Sequence, residues 1–472
     1  MSSHSLAWWL AGAVVALPFV AVLPLMLLGG LGRQPSERIT SSSVLSTCGL
    51  SSLAALVLAV LWFQGGGAPI VLRYGNIVDL SPRGHALVAG EEEAYRFAVD
   101  LLVDRLSVTM MLLTAGLTWI TARFSVRYLH REGGFFRYFL LFGLFTGGMQ
   151  VLVLAGSFDL LFVGWELAGV ASMLLIGFFH LRNGPARGAI RAMLTYRVTD
   201  VGLLVGAILL HHFAGSSSFF DAFERGAWPH ATTHLSPSAA ALVSLSLLFA
   251  AIGKSALFPL GTWLPRAMEG PTPSSALFYG GLAVHAGVHL LMRAAPIIER
   301  SPLAAVVVGA VGAATALWST LAGRTRSDVK TSLAYATIAQ VGLMLIGIAL
   351  RWYNVVLVYV IAHACLRTLQ LLRAPSALSD AEAIRAALQS EPHHRDGFWQ
   401  RVLPQRITDR LYALALEDFL LDALIERYVL GPVMALSRAA DRLDRWWSDA
   451  LSGPSAKSAD DDSVADRERS SQ

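Results

Sequence analysis

Lysine is almost missing from this sequence. Of 37 basic residues only three are lysines, Lys254, Lys330 and Lys457, and the rest are arginines. Cysteine is as scarce: Cys48 and Cys365 lie in separate apolar stretches, which excludes a disulfide framework, zinc-type spacing and an iron-sulfur ligand set. No metal and no cofactor is therefore expected, and any redox chemistry would belong to a partner. Charge of either sign is thin, at 15% of 472 residues, where soluble domains carry about a quarter. With 54% hydrophobic residues and a mean hydropathy of +0.54, this excludes an ordinary water-soluble enzyme. A net charge of +4 would suggest nucleic acid in a soluble protein. Here the arginines sit mainly in short loops between apolar runs, so no nucleic-acid partner is expected and the surrounding phase is a lipid bilayer.

What the chain has in abundance is apolar runs long enough to cross a hydrocarbon layer of about 30 Å as helices. Eleven are expected, over residues 6–31, 43–63, 101–125, 135–155, 157–179, 189–213, 238–268, 273–298, 303–323, 331–350 and 353–373. The first lacks a basic leader and exceeds a signal-peptide core, so it reads as a retained span. The connection 64–100 mixes Gly, Pro and alternating apolar residues and predicts an extramembrane hairpin. Residues 214–237 form a second exposed loop. Loops after the odd-numbered spans hold twelve Lys/Arg against seven in the others, which places the N-terminus outside and the C-terminus in the cytoplasm. Over 380–450 charges recur every few residues, with apolar positions at helical spacing. This predicts amphipathic helices at the interface, or a lateral helix along neighbouring subunits, with Trp446 and Trp447 at headgroup level. Residues 451–472 have little to bury and should be disordered.

Ionisable groups inside spans cost about 2.5–3.5 kcal/mol on insertion scales, so they face protein or water and are functional candidates. Glu166 falls well inside the fifth run. Arg197 and Asp200 share a face of the sixth at i,i+3, an expected ion pair that could be structural or a charge relay. Lys254 is flanked by Gly253, Pro259 and Gly261, a combination that should break its helix and free carbonyls beside the charge. His285 and His289 lie one turn apart, as do His363 and Arg367; a histidine on an apolar helix is as often a packing residue as a relay. Lys330 opens its span and could simply snorkel, and Asp159 is most simply a helix cap. Arginine keeps its proton at any ordinary pH, whereas a desolvated lysine can release it. Lys254 is therefore the leading candidate for a group that gains and loses a proton.

These residues come in strings: VDRLSVTMMLL from Asp104, LLFVGWELAGVASMLLIGFFH, AIRAMLTYRVTDVG, AIGKSALFPLGTWLPRAMEGPTPSSAL, TRSDVKTSLAYATIAQVGLM and IAHACLRTLQLL. The strings resemble the antiporter-like proton-translocating subunits of respiratory complex I, of the NADH-quinone oxidoreductase subunit 5 or L type, and of Mrp cation/proton antiporters. The resemblance implies an all-α polytopic fold of inverted five-helix repeats, each with a broken helix around a hydrated axis. It divides the chain into residues 1–100 (N-terminal helices and hairpin), 101–300 (first repeat), 301–378 (truncated second repeat), 379–450 (amphipathic helices) and 451–472 (tail). It implies that Glu166 and Lys254 are the essential pair, with Asp200 and Arg197 beside them. Lys330 and His363 would then be members of the central axis.

There are departures. Tyr279 stands where the family has a channel histidine, with His285 and His289 further along, and Arg367 stands where a lysine is usual. The apolar runs end after the eleventh, so the second repeat would lack its last two helices, including its own broken helix and exit-side lysine. Three functions are compatible with this pattern. The first is a proton-translocating subunit among other membrane subunits of a complex I-like or Mrp-type assembly. The second is a proton-coupled subunit of a bicarbonate-uptake complex with a cytoplasmic zinc protein, and the third a non-conducting scaffold. Sodium could replace the proton, since similar carboxylates serve both.

Overall fold

The computed structural model describes residues 3–79, 96–224, 227–374 and 405–452. The tail expected to be disordered and the segment 379–404 lie almost wholly or wholly outside the described residues. Two long helices open the chain, α1 (Ser3–Gly30) and α2 (Glu37–Gln64), the second started by Ser36, whose side chain accepts from the Ile39 amide. A hairpin follows, β1 (Ile70–Asp79) paired antiparallel with β2 (Arg96–Val103) in the register Ile70 to Val103 and Arg73 to Asp100. It is tied to the helices at both strands. The Trp8 indole donates to the Arg73 carbonyl at 2.9 Å, and the Gly156 amide donates to the Asp100 carbonyl at 2.7 Å.

Helices α3 (Arg105–Tyr128), α4 (Phe135–Leu154), α5 (Phe158–Ile176) and α6 (Asn183–Ala214) form the next layer. Each of α3 and α5 starts at a capping side chain, Asp104 accepting from the Ser107 amide and Ser157 from that of Leu160, which offsets the unpaired first-turn amides. Close approach of α4 and α5 depends on small residues: a Cβ at Gly164 would meet the Gly148 carbonyl at 2.7 Å. Without a hydrophobic drive between helices in lipid, such contacts supply the packing.

Helix α7 (Pro237–Lys254) ends where the sequence predicts its break. Ala256 turns to φ +54°, and the freed Gly253 carbonyl accepts from the Trp263 indole at 2.9 Å, while the Phe258 amide donates to Thr315 Oγ1 at 3.0 Å. The run expected as a single span over 238–268 is thus a helix and a pinned, irregular connection. The next span is irregular too. Residues Ser275–Gly281 form a π-helix and Ala283–His285 a 3-10 turn before α8 (Ala286–Arg293) resumes the regular pattern. Three further helices, α9 (Pro302–Gly323), α10 (Val329–Ala349) and α11 (Tyr353–Leu372), pack in sequence order, and α11 also lies against the π-segment. Helix α12 (Gln405–Leu416) packs on α9. A separate unit from Leu420 contains α13 (Gly431–Ser452), whose Leu436, Leu443, Trp446 and Trp447 are exposed.

Among the described residues eleven helical stretches are long and apolar enough to cross a bilayer. The chain is an all-α polytopic membrane protein, apart from its hairpin.

Candidate functional site

Lys254 is the last residue of α7 and is 1% exposed. Its Nζ donates to the Trp165 carbonyl at 2.8 Å and lies 5.0 Å from the Trp165 ring centroid and 4.6 Å from that of Tyr196. Aromatic faces attract a cation through their negative quadrupole, more strongly when water is excluded. Room for the ammonium comes from Gly169, where a Cβ would sit 2.6 Å from Nζ. Asp200 and Glu166 both lie in electrostatic reach of Lys254, as does Arg197.

The pairing within this cluster differs from the expectation. Arg197 and Asp200, predicted to pair along α6, do not do so: Arg197 Nη2 forms an ion pair with Glu166 Oε2 on α5, and Asp200 Oδ1 accepts from the Trp165 indole at 2.6 Å. The i,i+3 spacing puts both side chains on one face, but the neighbouring helix supplies a better-placed carboxylate for the guanidinium. Asp200 Oδ2 and Glu166 Oε1 are buried and unpartnered, and buried polar atoms of this kind are normally satisfied by protein or ordered water. The Glu166–Arg197 pair sits on the flank of the bundle, with side chains 20% and 42% exposed.

A second cluster surrounds His285 and His363, both buried. His285 Nδ1 lies 2.8 Å from the Gly281 carbonyl, and His285 Nε2 lies 2.9 Å from His363 Nδ1. Arg367, one turn along α11, donates to Gln370 at 2.9 Å. His289, one turn along α8 from His285, is also buried, with Nδ1 unpartnered. Lys330 is half-buried in the first turn of α10.

Arg293, near the end of the eighth apolar run, belongs to a buried ion pair that its local sequence does not announce. Arg293 is 3% exposed and grips Asp104 with both terminal nitrogens, Nη2 to Oδ1 at 3.1 Å. Both residues line a cleft that is also lined by Leu102, Phe219 and Trp228. The available signal is the D-x-x-S capping pattern at Asp104, but nothing local to Arg293 points 189 residues back to it. Tyr279, at the position where a histidine was expected by resemblance, donates to the Ser172 carbonyl at 3.0 Å and packs edge-on to Trp263.

Residues 155–390, half of the chain, match the family described as NADH:quinone oxidoreductase/Mrp antiporter, TM. The chain belongs to this family. Residues 91–139, which precede that region and include Asp104, match the family described as NADH-Ubiquinone oxidoreductase (complex I), chain 5 N-terminus. Among relatives, the NADH-quinone oxidoreductase subunit L of Neisseria meningitidis serogroup A is 37% identical over 289 residues, 60% of this chain and 43% of the relative. The NADH-ubiquinone oxidoreductase chain 5 of Allomyces macrogynus is 34% identical over 376 residues, 79% of this chain and 55% of the relative. The chain thus spans about half the length of the curated relatives it matches. Among solved structures, a chain of the Mrp complex from Dietzia sp. DQ12-45-1b superposes with a TM-score of 0.61 at 25% identity, covering 78% of this chain and 37% of that one. The antiporter-like fold expected from the motifs is therefore the fold observed.

Proposed function

We propose that this chain is a proton-translocating membrane subunit of a complex I-like NADH-quinone oxidoreductase or an Mrp-type antiporter complex, working in the cytoplasmic membrane of a bacterium. The observation that carries the reading is the environment of Lys254: a buried ammonium at a helix break, held by a carbonyl and two aromatic faces, with the Glu166–Arg197 pair beside it. Protonation of Glu166, or an electrostatic push on it, releases Arg197 from its partner. The uncompensated guanidinium then favours release of the Lys254 proton, because like charges in a low-dielectric interior repel strongly. Asp200 stands ready on the other side, with one oxygen held by Trp165 and one buried and open. The proton passes from there toward Lys330 and His363.

The flank position of the ion pair supports a membrane partner subunit. A charge pair facing lipid near the middle of a helix is costly, and a neighbouring subunit covering α5 and α6 would relieve it. The rival reading, a non-conducting scaffold, draws on the same closed ion pair, which needs no turnover to be useful.

The experiment is proton flux in vesicles containing the reconstituted native complex. Lys254→Ala and Glu166→Gln are each expected to reduce flux by about a hundredfold, the scale of losing a positioned acid-base group. Wild-type flux in both variants leaves only the scaffold. Replacing the proton gradient with a sodium gradient decides the ion, and the composition of the purified complex, quinone-site subunits against a large zinc protein, decides the assembly.

A further inference from the structure

The hydrogen bonds of the His285–His363 pair assign its protons. A carbonyl oxygen accepts and never donates, so His285 Nδ1, 2.8 Å from the Gly281 carbonyl, carries a hydrogen. A neutral imidazole holds one hydrogen, so His285 Nε2 is then a lone pair and accepts from His363 Nδ1 at 2.9 Å. His363 in turn has a bare Nε2, which is buried and unpartnered.

We propose that His285 and His363 form a proton store with a single port, His363 Nε2, closed at its far end by the Gly281 carbonyl. This inference rests on the proton-translocating reading and says where on the path a proton waits. Loading balances as follows. A proton from a hydronium ion forms an N–H bond at His363 Nε2, the N–H bond at His363 Nδ1 breaks, and that proton bonds to His285 Nε2. His285 becomes an imidazolium with both nitrogens occupied, and His363 remains neutral as the opposite tautomer. The proton cannot leave through His285 Nδ1, because the group it faces there has no hydrogen to give and does not retain one. Unloading therefore returns through His363, unless the irregular segment moves and takes the Gly281 carbonyl away.

That segment is built for such movement. Gly281 closes the π-helix Ser275–Gly281, and His285 ends the 3-10 turn that follows, so the hydrogen bond spans a junction of two helical patterns. Local π and 3-10 geometry commonly marks functional hinges. The groups facing the pair are Arg367 and Tyr359 from α11, with His289 and Arg293 further along α8. Arg367 is a fixed cation, so the store is occupied only briefly and does not trap its cargo.

The test has two readings. Nitrogen-15 NMR of the histidine-labelled full chain in bilayers, with signals assigned through their loss in His285→Gln and His363→Gln, is expected to show both rings neutral at pH 7 and protonated at Nδ1. With both rings neutral, an Nε2-protonated ring in either residue overturns the proposal; Nε2-protonated His363 beside an imidazolium His285 is the loaded store and supports it. In the reconstituted complex His285→Gln keeps a donor and an acceptor but takes up no proton, and flux is expected to fall at least about tenfold. Wild-type flux in that variant alongside a silent Lys254→Ala overturns the store while leaving the function intact. Wild-type flux in both overturns the function itself.

Discussion

Around Lys254, groups from three helices meet: a carboxylate paired with a guanidinium, a second carboxylate bound to an indole, and an ammonium resting on aromatic faces. Around His363 the partners are an imidazole, a backbone carbonyl, and a guanidinium bound to a glutamine amide. Charge balance governs the first region, and donor-acceptor direction governs the second. The two regions teach that one bundle offers two different settings for a proton, one among charged groups and one in which the orientation of two rings leaves a single nitrogen open. On the proposed function, the first would respond to a distant charge and the second to a local change of backbone.

Removing the support of one region without touching the other sharpens this contrast. The largest expected effect is on stability at the edge of the histidine region, where Arg293→Ala leaves Asp104 buried and unpaired. Breaking a buried pair costs about 3–5 kcal/mol, and detergent unfolding should show a loss of that size; Arg293→Lys should recover only part of it, since lysine cannot reproduce the two-nitrogen grip. In the lysine region, Gly169→Ala places a methyl 2.6 Å from the present Nζ position. The ammonium must leave the Trp165 carbonyl, and flux should drop by about a hundredfold, the scale of an ångström's misplacement at a reacting group. Unfolding should shift little, because the displaced atom ends a flexible side chain. Trp263→Phe removes the 2.9 Å indole donor to the Gly253 carbonyl, which keeps the longer bond from the Ala256 amide at 3.3 Å. A cost of about 1 kcal/mol follows, the net worth of one hydrogen bond, read as a lower unfolding midpoint.

The smallest effect lies outside both regions. Asp100, in the hairpin, has its carboxyl held above the ordinary carboxylate range by burial, with the exposed Arg73 3.9 Å away partly opposing this. A raised folded pKa means the folded state binds a proton before the unfolded one does, so this group's contribution to stability falls as pH rises above the unfolded value. Asp100→Asn should remove that dependence and raise stability at pH 7 by about a few tenths of a kcal/mol, given how exposed its partner is.

The spans and the break beside Lys254 were legible because they are written locally, in continuous apolar runs and in the grouping of Gly253, Pro259 and Gly261. The partner of Arg197 was not. Helical spacing reports which side chains share a face but is silent about the adjacent helix, where Glu166 stood. The π-segment was equally hidden, since changing which carbonyl an amide meets leaves the hydrophobic pattern almost unaltered. Arg293 looked like a helix-end cation because the residue that buries its charge is at the start of α3. Tyr279 was visible as a departure, while its contact with Ser172 required the fold.

The aromatic enclosure of Lys254 has a practical side. A primary amine sealed behind Trp165 and Tyr196 cannot be acylated by a water-borne reagent, whereas the half-buried Lys330 can. In a chain with so few amines, the ratio of label at these two positions becomes a clock for the opening of the helix break. Energising the membrane should make that clock run faster.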